Sequence, residues 1–300
     1  AYYIYGWIIT GASQKSGDMD ILTVMDIVHL RSKGPKIVAI GGGTGVSTLL
    51  RGLKYQTGNL TAIVTIADDG GSSGRLRDDF HMPPPGDVRN CLIALSEAGP
   101  IMEELFDYRF ESDSNLDGHN LGNLLLAALS QTRGGFHNGL DAAARLLAVS
   151  GKVEPVSNNV ELVLMGETIS GHVLRGETSI GHSSEKLERV WIVPDSAVAN
   201  RAAIDAIDQA DMIVIGPGSL YTSVIPNLLF KAIRDSVNAS NAPKVFVCNV
   251  ATQPYETDGY GVEEHLKQFQ SNTGVSVSHI LINDMVLNLP KHWDQEAVLP

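Results

Sequence analysis

Two glycine-rich stretches that follow apolar runs are the first places in this sequence where chemistry can be located. Gly41-Gly42-Gly43-Thr44-Gly45 follows Lys36–Ile40, and Gly216-Pro217-Gly218-Ser219-Leu220-Tyr221-Thr222-Ser223 follows Met212–Ile215. Glycines let a phosphate approach the main chain, and unpaired N–H groups at a helix start attract it. Ser219, Tyr221, Thr222 and Ser223 add hydroxyls, which suit a second anion site opposite the first. Neither stretch is a standard nucleotide loop. In the G-x-G-x-x-G register that starts at Gly41 or Gly43, the last position is Val46 or Thr48, and no Gly-Lys-Ser/Thr follows. A tight turn without a ligand uses the same residues.

Asp68-Asp69-Gly70-Gly71-Ser72-Ser73-Gly74-Arg75-Leu76-Arg77 closes another apolar run. Acidic residues at that place bind ribose in doubly wound folds. Two adjacent carboxylates can also hold Mg²⁺ beside a diphosphate. The Gly/Ser stretch is expected to be mobile and to wrap a ligand, with Ser72, Ser73 and Arg75 or Arg77 near phosphate oxygens. Loop capping by the aspartates and solvation of the arginines are the plainer roles. After Pro83-Pro84-Pro85, Asp87 can cap a helix whose first turn holds Arg89 and Asn90. An Arg there opposes the helix dipole, so a ligand or partner explains it better than helix stability does. His119 opens a further helix as a general acid, a phosphate donor or a cap, although a lone His is more often structural. Asn120 and Asn123 share one face of that helix. Asn249, Thr252 and Gln253 suit ribose, base or sugar hydroxyls, or simply form turns.

The elements that position these groups alternate. Short apolar strands are expected at 36–40, 60–66, 212–215, 244–249 and 279–282, and helices near 46–53, 87–98, 119–131, 138–149, 198–209, 227–237 and 261–270. Alternation of this kind predicts an α/β fold with a mainly parallel sheet and helices on both faces. The stretch 152–193 reads differently, as short Gly-punctuated β segments at 152–156, 160–165, 172–176 and 190–193. It is expected to be a small antiparallel subdomain inserted in a core that spans 35–300. In a parallel sheet the strand tips point one way, so the polar loops should line one crevice.

Composition limits the functions. The 300 residues carry 22 Lys plus Arg against 34 Asp plus Glu, a formal charge of −12. That argues against a nucleic-acid partner. Two distant cysteines, Cys91 and Cys248, argue against a disulfide framework and a structural zinc site and fit a reducing compartment. Neither a nucleophile elbow nor a His-Glu-x-x-His motif occurs. The chain starts at Ala1 rather than Met, which suggests a fragment or processed form. Its apolar leader 1–34 begins with Tyr2, Tyr3, Tyr5 and Trp7, a run too short for the roughly 20 residues that cross a bilayer. It reads equally as an arm that packs on the domain or a partner and as the remnant of a membrane anchor. Within it, 19–30 is expected to form an amphipathic helix that ends at Gly34-Pro35.

Taken in order, Gly41–Gly45, Asp68–Arg77, Pro84–Leu92, Gly118–Asn123, Gly216–Ser223 and Cys248–Asn249 with Thr252–Pro254 resemble the gluconeogenesis factor (YvcK-type) branch of the CofD-like superfamily of 2-phospho-L-lactate transferases. The resemblance covers about residues 35–290. It implies a Rossmann-like three-layer fold, a cytosolic bacterial protein, and binding of a UDP-sugar such as UDP-N-acetylglucosamine. It also implies a role in gluconeogenic growth and cell-wall morphogenesis. Carried over, Gly41–Gly45 would hold the diphosphate, Asp68 or Asp69 the metal or ligand, and Gly216–Ser223 with Asn249 the rest of the pocket. Tyr255 stands where the branch commonly has Gly. The leader resembles longer forms with an N-terminal membrane segment.

A ligand-binding regulatory factor is therefore expected first, with no certain cofactor, and homo-oligomerisation is left open. The alternative is a transferase on a nucleotide diphosphate-linked donor, with Asp68 and Asp69 on Mg²⁺ and His119 as a candidate acid. An NAD-linked enzyme is disfavoured by Val46 and Thr48. Gly43→Val is expected to block a phosphate and leave the sheet folded.

Overall fold

The computed structural model describes residues 21–111, 113–285, 289–290, 292 and 295–299. Residues 1–20, which hold the aromatic run of the leader, lie outside the described residues. The chain proceeds through α1 (Ile21–Ser32), β1 (Ile37–Gly41), α2 (Gly43–Leu53), β2 (Leu60–Val64), α3 (Gly71–Phe80), α4 (Gly86–Leu95), α5 (Pro100–Asp107), α6 (Leu121–Arg133) and α7 (Phe136–Leu146). It continues with β3 (Lys152–Pro155), β4 (Val163–Thr168), β5 (Val173–Arg175), α8 (Glu177–Gly181), β6 (Leu187–Val193), α9 (Arg201–Asp208) and β7 (Met212–Ile215). A wide turn at Leu220–Val224 then leads into α10 (Ile225–Leu228), α11 (Lys231–Ala239), β8 (Lys244–Val247), α12 (Val262–Thr273) and β9 (His279–Leu281).

Six strands form one parallel sheet in the order β3-β2-β1-β7-β8-β9. The sequence runs outward from β1 on one side and resumes from β7 on the other, so the strand order reverses between them. That is the arrangement of the Rossmann-like sheet, and the reversal leaves a crevice at the strand tips. Every position of β1 is buried, and β2 is nearly so. Strands covered on both faces become continuous apolar runs, which is why Ile37–Ile40 and Leu60–Val64 read so clearly. Side chains alternate between two cores. Val38 and Ile40 face a core with Ile207, Ile233, Phe246 and Phe269, whereas Ile37 and Ala39 face one with Leu50, Leu92, Leu126 and Leu140. Helices thus cover both faces and complete three layers.

The expected insertion needs a new boundary. Lys152–Pro155 pairs in parallel with β2 and closes the main sheet, rather than joining an antiparallel unit. Only β5-β4-β6 form the small antiparallel sheet. A short strand of this composition fits either kind of sheet, and here β2 offers it a free edge. The small sheet shares the first core through Leu164, Val190 and Ile192. Three helices were not expected, α3, α5 and the short α8. The Gly/Ser stretch read as mobile is the N-cap and first turn of α3, and Ser72, Ser73 and Gly74 are buried there. Small side chains are what permit this contact, since a Cβ on Gly74 would lie 2.3 Å from the Asp69 carbonyl.

Of the amphipathic helix expected at 19–30, residues 21–30 are helical in α1 while 19 and 20 lie outside the described residues, and its described apolar side chains do not gather on a buried face. Its apolar Met25, Val28 and Leu30 are exposed, and it is fixed to the domain through Arg31, which donates to Glu97 (2.9 Å) and Ser150 (3.2 Å). Among the described residues no helix is long and apolar enough to cross a membrane.

One buried side chain fastens the reversal point. Asn227, in α10, donates to the Gly41 carbonyl at the tip of β1 (3.1 Å) and to the Ser223 carbonyl (2.8 Å). Asn227→Leu removes both donors from a site with no access to water. It is expected to lower unfolding stability by about 1–3 kcal/mol in urea titration.

Candidate functional site

The first turn of α2 begins at the tip of β1. Gly42 is the N-cap in extended backbone and has no side chain of its own to cap the helix. Gly43 has a φ of +61°. A β-branched residue is strained in that conformation, so Gly43→Val perturbs the fold as well as the loop, contrary to the sequence-based expectation. Gly45 faces the turn after β7. A Cβ on Gly45 would lie 2.5 Å from the Pro217 carbonyl oxygen, so the two glycine turns meet. Asn249, just past β8, holds the second turn with both ends of its amide: it accepts from the Gly218 N–H (3.0 Å) and donates to the Gly218 carbonyl (2.8 Å). The backbone at Gly216 and Gly218 has φ of +79° and +152°, conformations that favour glycine. Thr44 is exposed and Gly43 and Gly45 half-exposed, so this helix start opens to solvent on the side of the strand tips.

The wide turn Leu220–Val224 carries the hydroxyls. Ser219 donates to Glu256, whose other oxygen accepts the Tyr221 N–H (2.6 Å); the Thr222 N–H bonds Glu256 as well. Glu256 is buried, and burial raises its carboxyl above the usual carboxylate range. Tyr221 points into the core, where its hydroxyl meets that of Tyr260 (3.1 Å). Thr222 instead lines a cavity of about 400 Å³ together with Asp68, Glu177, Thr178, His182, Gln253 and Tyr255. Thr252, also read as a ligand contact, exchanges hydrogen bonds with the backbone of Glu296.

The two adjacent aspartates part company. Asp69 Oδ1 accepts from the N–H (2.9 Å) and hydroxyl (2.8 Å) of Thr178, which pins the start of α8. Asp68 accepts the Gly70 N–H (2.9 Å) and borders the cavity. Asp87 stands beside the helix start, and the Gly43 N–H donates to its carboxylate. Burial first, then the Asp68 charge, push the Asp87 carboxyl up to about 7. Glu177 is raised well above the carboxylate range, by burial and by Asp87, Asp68 and Asp69. Its buried Oε2 finds no hydrogen-bond partner among the described residues. Glu177, Thr178, His182 and Glu256 were absent from the sequence reading. A Gly-Glu-Thr-Ser run between short strands resembles an ordinary turn, and only the fold brings α8 to the strand tips.

The remaining predicted residues form a polar knot between α3, α4 and α6. Ser72 Oγ meets His119 Nδ1 (3.2 Å) and accepts from the Asn120 N–H (3.2 Å) and Asn123 Nδ2 (3.3 Å). Asn120 is the N-cap of α6, accepting from the Asn123 N–H (3.1 Å). Arg89 is buried and donates to Asn123 Oδ1 (3.3 Å) and Asn90 Oδ1 (2.5 Å). Its place in this knot accounts for a first-turn Arg by packing. Burial lowers the pKa of His119, which favours neutral imidazole. Ser73 packs against Gly86, and Arg75 donates to the Asp117 carbonyl (2.8 Å) at the surface.

Among the described residues, no three His, Cys, Asp or Glu side chains are grouped to hold a metal ion. Mg²⁺ needs few protein oxygens when a diphosphate supplies others. Asp68 fits such a role, whereas Asp69 is engaged with Thr178.

A carboxyl raised in the folded state, like Asp87, adds stability below its unfolded value of 3.8, and this is lost as pH rises through about 7. Asp87→Asn should therefore be more stable than the parent by on the order of 4 kcal/mol at pH 8 and by little at pH 4. Chemical denaturation at the two pH values measures this, and equal differences at both would place the raised carboxyl elsewhere.

Similarity to known proteins agrees with this architecture. Residues 37–298 match the family model described as 2-phospho-L-lactate transferase CofD. The chain is 50% identical over 245 residues to the "Gluconeogenesis factor" of Halalkalibacterium halodurans, covering 82% of this chain and 76% of that protein. It is 45% identical over 269 residues to the "Gluconeogenesis factor" of Bacillus subtilis, covering 89% and 84%. Against a "Putative gluconeogenesis factor" of a Nostoc species it is 47% identical over 267 residues, but spans only 58% of that longer protein. A crystal structure of a Bacillus halodurans protein superposes with a TM-score of 0.85 at 47% identity, over 89% of this chain and 88% of that one. Sharing that fold and close to half its aligned residues with these relatives, the chain belongs to the CofD family, on the branch of the gluconeogenesis factors.

Proposed function

We propose that this protein is a nucleotide-sugar-binding regulatory factor, with a ligand of the UDP-N-acetylglucosamine class. Its output is the ligand-bound conformation, in support of gluconeogenic growth and cell-wall morphogenesis. One observation carries the reading: a helix start with a glycine N-cap opens at the reversal point of the sheet, beside a cavity lined by polar side chains. The N–H groups of that helix start suit a diphosphate. The hydroxyl and carboxyl groups of Thr222, Glu177 and Asp68 suit the hydroxyls of a sugar. The relatives named gluconeogenesis factor support the physiological role.

A transferase acting on a nucleotide diphosphate-linked donor is the second reading. Asp87 favours it, because a carboxyl poised near neutrality can give or take a proton at the pH of a cell. Product release that Asp87→Asn abolishes would establish turnover and displace the regulatory reading.

Calorimetry against UDP-N-acetylglucosamine, guanosine diphosphate and NAD tests the ligand class. The uridine nucleotide should bind most tightly, and no binding at millimolar levels would sink the proposal. Thr44→Asp tests the location. A carboxylate in the first turn of α2 complements the helix dipole, so the melting temperature should hold or rise. The same charge competes with a diphosphate, so affinity should fall by roughly tenfold or more.

A further inference from the structure

The loop after β8 contains a residue that stability does not explain. Tyr255 has a φ of +72°, one of three non-glycine residues among those described to lie in the left-handed region. For a bulky side chain that conformation is an outlier and costs energy. The backbone on either side shows why position 255 is forced into it. Gln253 accepts the N–H groups of Glu256 (3.1 Å) and Thr257 (3.0 Å), closing a tight turn. Glu256 must then point inward to reach Ser219 and the Tyr221 N–H. Tyr255 is turned outward, its N–H on Asp258 Oδ2 (2.8 Å). Glycine would satisfy that backbone without strain. The tyrosine is 56% exposed, so it contributes little to the core. It does border the cavity, across from Glu177, Thr178 and His182.

A strained, exposed aromatic at the rim of an otherwise polar cavity has one evident physical use. Its flat face can stack on a planar ring, at little entropic cost because the side chain has only two rotatable torsions. We infer that Tyr255 is a specificity-determining residue, stacking on the base of the bound nucleotide while the amides of α2 hold its phosphates. This inference rests on the nucleotide-sugar reading and deepens it. The base is the planar part of such a ligand, and the sugar hydroxyls have the carboxyl and hydroxyl groups of the cavity as partners. Strain at this position is thereby tied to ligand selection, as strain at binding sites commonly is.

The test compares Tyr255→Phe, Tyr255→Leu and Tyr255→Gly by calorimetry with four probes: UDP-N-acetylglucosamine, UDP, N-acetylglucosamine 1-phosphate and inorganic diphosphate. Tyr255→Phe should bind all four within about threefold of the parent, since the ring is kept. The Leu and Gly variants should lose roughly tenfold or more for the two uridine compounds. They should keep parental affinity for the two probes without a base. Tyr255→Gly should also melt roughly 1–3 °C higher, which separates lost stacking from lost folding. Parental affinity of the Leu and Gly variants for UDP would overturn the inference, as would an equal loss on the sugar phosphate. If the parent protein binds no uridine compound, the ligand class itself fails, and the role of Tyr255 with it.

Discussion

The close meeting of two glycine turns at the reversal point of the sheet is the constraint on which the rest depends. β1 and β7 are neighbours, yet the chain leaves them toward opposite faces, so their tips part over a crevice. Gly45 and Pro217–Gly218 fill the space between those tips, and there is no room for a Cβ on Gly45. Asn249 and Asn227 then hold the two turns from either side through main-chain hydrogen bonds. A helix start fixed in this way presents its N–H groups to the crevice in one orientation, which is what recognition of a phosphate requires.

The electrostatics around that helix start are unusual for an anion site. Burial raises the carboxyls of Asp87, Glu177 and Glu256, the Asp68 charge adds to the rise at Asp87 and Glu177, and the local charge is smaller than the count of acids suggests. Asp87 already bonds the Gly43 N–H, so the protein's own carboxyl sits where an external anion would approach. Neutral carboxyls donate hydrogen bonds, and ionised ones accept them or share a cation with phosphate. The same group of residues can therefore suit a binding factor or a transferase.

The small antiparallel sheet also acquires a purpose in this arrangement. It shares a core with the main sheet, and the chain between β5 and β6 delivers α8 to the strand tips. Asp69 fixes the beginning of α8, and Glu177 follows into the cavity. A residue expected to hold metal thus serves to place another acid. The hydroxyl-bearing turn after β7 is organised similarly, with Glu256 gathering Ser219, Tyr221 and Thr222.

By itself, the sequence determined the parallel sheet and the places where polar loops leave it. Runs such as Ile37–Ile40 and Leu60–Val64 can satisfy their burial only between two layers, and Gly41–Gly45 can serve only as a strand-to-helix turn. The start of α6 was legible to within two residues, but its cap is Asn120, which the sequence reading placed on the helix face beside Asn123. Tertiary structure alone decided the rest. Ser72, Ser73 and Gly74 are poor helix formers that become helical because α4 and α6 bury them. Lys152–Pro155 joined the larger sheet because β2 had an open edge. Asp68 and Asp69 were separated by which of them reached Thr178, more than a hundred residues away. Local pattern records which atoms must leave water and which torsions are cheap. It carries no record of which distant group will be waiting when they do.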